Sequence, residues 1–108
     1  VIRILYFSTA RTSVSHSDVD DIVTHAVENN ARMGITGALA YNGRNFCQLL
    51  EGDEGKVRAL IETISKDDRH SGFKVIDERA VEARHYADWS LKRVSELDFS
   101  EIINAMQA

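Results

Sequence analysis

The chain has 108 residues, 44% hydrophobic and 28% charged, with a formal charge of −4; this is the composition of one soluble globular domain with a sizeable core and excludes a disordered chain. The acidic balance and the lack of a Lys/Arg run argue against nucleic acid or a membrane surface as partner. A single cysteine, no signal-peptide pattern and no bilayer-spanning apolar run make a reducing, cytoplasmic setting the expectation, and a start at Val1 rather than Met is expected of a chain trimmed or cut from something longer.

The first segment, 1–8, alternates as a strand: Ile2, Ile4, Tyr6 and Ser8 on one side, Arg3, Leu5 and Phe7 on the other. After a loop over 9–16, Ser17 is expected to cap a helix, with Asp20 at its third position. Val19, Ile22, Val23, Ala26, Val27 and Asn30 follow the helical period, and Gly34 is placed to end it. A strand over 35–41 reaches Asn42-Gly43, a type I′ turn signal, and returns through 45–50. Asp53 is expected to cap a second helix with the stripe Val57, Leu60, Ile61 and Ile64, ended by the run DDRH over 67–70. Segment 73–79 reads as a strand and 89–94 as a weaker one. Asp98 with Glu101 predicts the start of a tail helix with Phe99, Ile102, Ile103 and Met106 on one side, packed on the back of the sheet or forming a dimer seam.

The order β-α-β-β-α-β-β-α predicts an α+β, ferredoxin-like sandwich: a mixed sheet, two helices on one face and a C-terminal helical extension. The domain is expected over 1–96, with 97–108 as the extension or the start of a linker to an output.

Strand parity raises a chemical question. Gln48 shares a face with Phe46 and Leu50, Tyr6 shares one with Ile2 and Ile4, and Asn30 lies on the inward stripe of the first helix. A buried primary amide needs partners for both its ends. These side chains either satisfy each other, as buried polar groups commonly do, or hold a planar ligand rich in heteroatoms. Cys47, opposite in parity to Gln48, is expected to be a small core residue. His16, His25, His70 and His85 have no metal-ligand spacing, and neither a nucleophilic triad nor a phosphate-binding glycine loop is readable.

Together, YFS ending the first strand, NNARMGITGALAYNG, FCQLLEG, DDRH and the late ADWSL resemble a BLUF domain over nearly the whole chain. The resemblance implies a blue-light sensor that holds a flavin without a covalent link, FAD or with FMN or riboflavin as substitutes, between two helices. It places the family's tyrosine at Tyr6, its switching glutamine at Gln48 and its ring-binding asparagine at Asn30. Ser8 matches the serine accompanying the tyrosine, and Ile22 the isoleucine that packs on the ring. Arg69 and His70 match the segment at the pyrimidine edge, and Asn29 a position that varies. Trp89 matches the semi-conserved tryptophan, in or out of the pocket. Where the family often has methionine, this chain has Leu91, of similar volume but without the polarizable sulfur; Trp89 and Leu91 are the expected signal relay.

The resemblance further implies that light drives an electron and a proton from Tyr6 and leaves the hydrogen bonds of Gln48 rearranged. It implies a sensory domain rather than an enzyme, with a homodimer, higher oligomer, partner or fused effector as output. The alternative is a ferredoxin-like module that binds a metabolite without photochemistry. An acyl-phosphate hydrolase on this fold would want an anion loop after the first strand, and no glycine cradle surrounds Arg11 there.

Overall fold

The computed structural model describes residues 1–11, 14–94 and 99–108. Its elements run β1 (Ile2–Ala10), α1 (His16–Met33), β2 (Thr36–Tyr41), β3 (Asn45–Gly52), α2 (Glu54–Ser65), β4 (His70–Ala80), β5 (Lys92–Arg93) and α3 (Ser100–Met106). The sheet order is β4-β1-β3-β2-β5. All pairings are antiparallel except β2 with β5, which makes the sheet mixed. This is the expected ferredoxin-like arrangement.

Alternation divides the sheet into two buried faces. On the front, Ile2, Ile4, Tyr6 and Leu50 pack with Val57 of α2, while Leu39, Tyr41 and Phe46 pack with Val19 of α1. On the back, Leu5, Ala38, Ala40, Cys47 and Leu49 meet Ile102, Ala105 and Met106 of α3. The tail helix therefore packs on the back of the sheet. Ile103, expected on its apolar side, is 41% exposed, and Asp98 lies outside the described residues.

Local chemistry explains the other differences from expectation. Ser15, not Ser17, caps α1, in a reciprocal capping box with Asp18. Both serines have an aspartate three residues on, so the same signal occurs twice. Val27 is exposed, because α1 turns Ile22, Ala26 and Asn30 inward. The hairpin forms, but not as a type I′ turn, since among the described residues only glycines have positive φ. Instead Asn42 Oδ1 accepts from the backbone N–H groups of Arg44 and Asn45, at 3.0 and 2.7 Å. The weak strand expected over 89–94 shrinks to Lys92–Arg93, because 85–88 form turns.

Two contacts stiffen the framework. Gly37 lies so close to β3 that a Cβ there would sit 1.9 Å from the carbonyl oxygen of Leu49. On the back, Arg3 and Glu51 form a fully buried ion pair at 2.8 Å. The Arg3 guanidinium also donates to the Ala108 carbonyl at 2.7 Å. Glu51 accepts from the backbone N–H groups of His85 and Tyr86, at 2.9 and 2.8 Å. The pair thus ties β1 and β3 to α3 and to the 83–86 segment.

Glu51→Ala strands the Arg3 charge in the core and should destabilise the protein by about 3–5 kcal/mol. Replacing both residues by apolar ones of similar size should lose clearly less. Urea denaturation of the two variants checks this ordering.

Candidate functional site

The site begins with strand register. β1 and β3 pair so that Tyr6 stands opposite Gln48, with Leu39 of β2 on the far side of Gln48. Tyr6 Oη donates a hydrogen bond to Gln48 Oε1 across this pair. Both side chains are buried. With the amide oxygen occupied, the Nε2–H donors are the end available to a ligand. The Phe73 ring stacks on Tyr6 with centroids 4.5 Å apart. Burial, reinforced by the Cys47 thiol and the Asp67 carboxylate, pushes the Tyr6 phenol far above its ordinary pKa. Tyr6 is therefore a neutral O–H donor at any working pH.

Asn30 lies near the C-terminal end of α1, which closes on Gly34 in the left-handed conformation (φ 66°). Its Nδ2 donates to the Ser90 carbonyl at 2.9 Å, tying α1 to the segment before β5. The second Nδ2 hydrogen and Oδ1 remain for a ligand, a donor and an acceptor side by side.

These groups face a cavity of about 220 Å³ between α1, α2 and the sheet. Of the residues singled out from sequence, Tyr6, Ile22, Asn29, Asn30, Gln48, Arg69, His70 and Leu91 line it. Ser8 stands just behind, with Oγ 2.7 Å from His70 Nδ1. Trp89, for which either placement was open, does not line the cavity and is 51% exposed, with the Lys92 ammonium 5.8 Å from its ring centroid. The turns before β5 break the alternation that would have carried Trp89 inward alongside Leu91, which is buried against the front core.

Sequence reasoning missed His25, Thr63 and Asp67 in the lining. The signal was available as periodicity. Ile22, His25, Ala26 and Asn29 follow i, i+3, i+4, i+7 on α1, and Leu60, Thr63, Ile64 and Asp67 repeat it along and just beyond α2. Reading only the apolar members hid the polar ones.

Charge is confined to one end. Asp67 and Arg69 form an ion pair, with Arg69 Nε 2.9 Å from Asp67 Oδ1. Its hydrogen bond from Arg69 holds the Asp67 carboxyl well below the usual range, at about 2. Burial lowers the His70 pKa below its ordinary value, with Asp67 opposing and Arg69 assisting. Burial also pushes the Cys47 thiol, on the back of the sheet, up to about 12. Among the described residues no cluster of His, Cys, Asp and Glu could hold a metal ion, and no helix is long and apolar enough to cross a membrane.

Residues 1–92 match the family model described as sensors of blue light using FAD. The chain belongs to the BLUF family. It is 33% identical over 92 residues to photoactivated adenylate cyclase subunit beta of Euglena longa, covering 84% of this chain and 11% of that protein. It is 34% identical over 67 residues to the blue light- and temperature-regulated antirepressor BluF of Escherichia coli K12, covering 62% of this chain and 17% of that one. The chain thus spans less than a fifth of either curated relative. Among solved structures it resembles the dark state of BlrB, a BLUF protein, with a TM-score of 0.85 and 33% identity over 93% of this chain and 76% of that one. A bacterial light-regulated adenylyl cyclase superposes with a TM-score of 0.83 and 30% identity, over 98% of this chain and 33% of that one. BLUF domains are flavin-binding sensory modules, and the cavity's chemistry suits a flavin: apolar walls for the ring, amide groups for its carbonyl and N–H edge.

The lowered His70 pKa gives a signed prediction. The unfolded imidazole takes up its proton near pH 6.5, and the folded one only at lower pH. Between those values the unfolded state binds more protons, so stability is lost as pH falls through about 6.5 towards the folded midpoint. NMR titration of the His70 imidazole should give a midpoint below the ordinary histidine value of about 6.5.

Proposed function

We propose that this chain is the light-sensing module of a signalling protein, holding a flavin, FAD foremost, in the cavity between α1 and α2. The observation that carries this reading is the buried hydrogen bond from Tyr6 to Gln48 on the cavity wall. FMN or riboflavin would present the same ring to the same walls.

When bound, the flavin supplies blue-light absorption and, once excited, an oxidant strong enough to take an electron and a proton from a neighbouring phenol. The chain supplies the rest. Ile22, Leu39 and Leu91 bound the ring's space with apolar surface and exclude water. Asn30 fixes the ring's edge with its free donor and acceptor while Ser90 holds the amide in place. Tyr6, kept neutral by burial, can lose an electron cheaply only if its proton leaves as well. Gln48 Oε1 already accepts that proton's hydrogen bond. Its amide has an acceptor at one end and donors at the other, so rotation or a change of tautomer alters every bond it makes. The proposed signalling state is such a rearranged amide. It requires two arrangements within a few kcal/mol of each other. A dry layer is needed because water would give Gln48 competing partners.

The output lies with a partner, a second copy or a fused effector, reached through the Ser90–Leu91 segment that joins Asn30 to β5. The two relatives, a photoactivated adenylate cyclase subunit and an antirepressor, exemplify two forms such an output takes. Leu91 fills the cavity wall and preserves the photochemistry, while Trp89 stands exposed outside it.

The purified protein should be yellow and should show a small red shift of flavin absorption under blue light. Tyr6→Phe and Gln48→Leu should keep the flavin and lose the shift. A normal shift in either variant contradicts the assigned roles, and a colourless protein that cannot be refilled with flavin favours a metabolite-binding module. Asn30→Ala should retain less flavin on purification, measured as the flavin-to-protein absorbance ratio.

A further inference from the structure

β4 is the longest strand, 11 residues, and lies at the edge of the sheet with β1 as its neighbour. Among the described residues no strand covers its other side, so alternate backbone N–H and C=O groups face outward as a template for a further strand. At its middle stand two adjacent apolar side chains, Val75 at 38% and Ile76 at 46% exposed. Lys74 precedes them and Asp77 follows.

A lysine and a bulge commonly guard a free edge against pairing, and β4 has both. Its register gives them another consequence. Phe7 of β1 pairs with Lys74 and Leu5 with Asp77, two residues apart on β1 but three apart on β4, so Ile76 is the extra residue of a bulge. In a regular strand, residues three apart point to opposite faces. Here Leu5 and Phe7 both pack into the back core, which puts Lys74 and Asp77 together on the back face. Side chains directly opposite each other across an antiparallel pair also share a face. Rotating the chain about a two-fold axis normal to the sheet therefore sets Lys74 against Asp77 twice, with Val75 against Ile76 twice between them. Lys74 makes no ion pair among the described residues, and Asp77 meets Arg79 only at 4.0 Å.

We infer that the outer edge of β4 is an interface for a second copy of this chain, the two strands joining antiparallel into one continuous sheet with Lys74 facing Asp77 across it. Self-complementarity selects this occupant. An isologous contact needs a patch that matches its own image, and the order Lys-Val-Ile-Asp, read against its reverse, opposes unlike charges and apolar neighbours. The contact closes on itself and stops at the dimer. One pair of strands buries less than the roughly 1,600 Å² of a standard stable interface, so the association is weak and depends on concentration. The charge pairs are at the surface and are screened by salt.

Sedimentation of the purified protein in the dark, over a series of concentrations at low ionic strength, tests this. The wild type should show a monomer–dimer equilibrium. Lys74→Glu opposes like charges at both symmetry-related positions and should weaken dimerisation about tenfold. Asp77→Lys should weaken it equally, by setting lysine against lysine. Mixed in equal amounts, the two variants regain an opposite charge at both positions, so the mixture should dimerise near wild-type strength while each variant alone stays largely monomeric. This recovery also shows that both variants are folded. A wild type that remains monomeric throughout overturns the interface. So does a dimer that neither variant weakens, as one built on exposed Ile103 of α3 would be, or a mixture that associates no better than its components.

Discussion

The structure turns on one hydrogen bond placed where water is excluded, from the Tyr6 phenol to the Gln48 amide oxygen. In water such a bond would exchange freely with solvent and contribute little. Buried between a sheet and two helices it is electrostatically stronger, and its partners have few alternatives. Its placement depends on register: a slip of one residue between β1 and β3 would turn both side chains to the opposite face. The Gly37 contact and the buried pair of Arg3 and Glu51 hold that register from neighbouring positions.

The two faces of the sheet divide the work. On the back, α3 and the 83–86 segment are locked to the strands by a saturated ionic network, with each Glu51 oxygen and several guanidinium donors engaged. Such a network leaves little room for alternatives. On the front, Gln48 and Asn30 line a cavity, with donors and an acceptor that no protein group engages among the described residues. A stiff back and an adjustable front suit a device whose response must be a change of hydrogen bonds rather than of fold. Asn30 links the two through Ser90, since the same amide that meets the cavity holds the chain entering β5.

Much of this was legible in the sequence, because alternation and helical period report which face a residue takes. Tyr6, Gln48 and Asn30 could be placed in one layer without coordinates, while the apolar stripe of α3 left the back of the sheet and a dimer seam open, and the packing of Ile102 and Met106 selects the back. What escaped had local physical causes. Ser15 and Ser17 carry the same capping signal, and only tertiary packing chooses between them. Asn42 turns the hairpin with its side chain where a left-handed backbone was expected. The burial of Arg3 depends on Glu51, too distant in sequence for any pattern to join. His25 and Asp67 were hidden within helical stripes read for their apolar members alone.

The proposed switch makes one claim above all, that the Gln48 amide changes its bonds while the protein keeps its fold. The sequence has only two glutamines, Gln48 and Gln107, and Gln107 is exposed near the chain's end. Light-minus-dark infrared spectroscopy of the flavin-loaded protein, labelled with isotopes in the glutamine side chain, therefore observes the switch almost in isolation. The account predicts a label-sensitive amide band that appears with light, decays with the red shift and persists in Gln107→Ala. A difference spectrum insensitive to the glutamine label would contradict it.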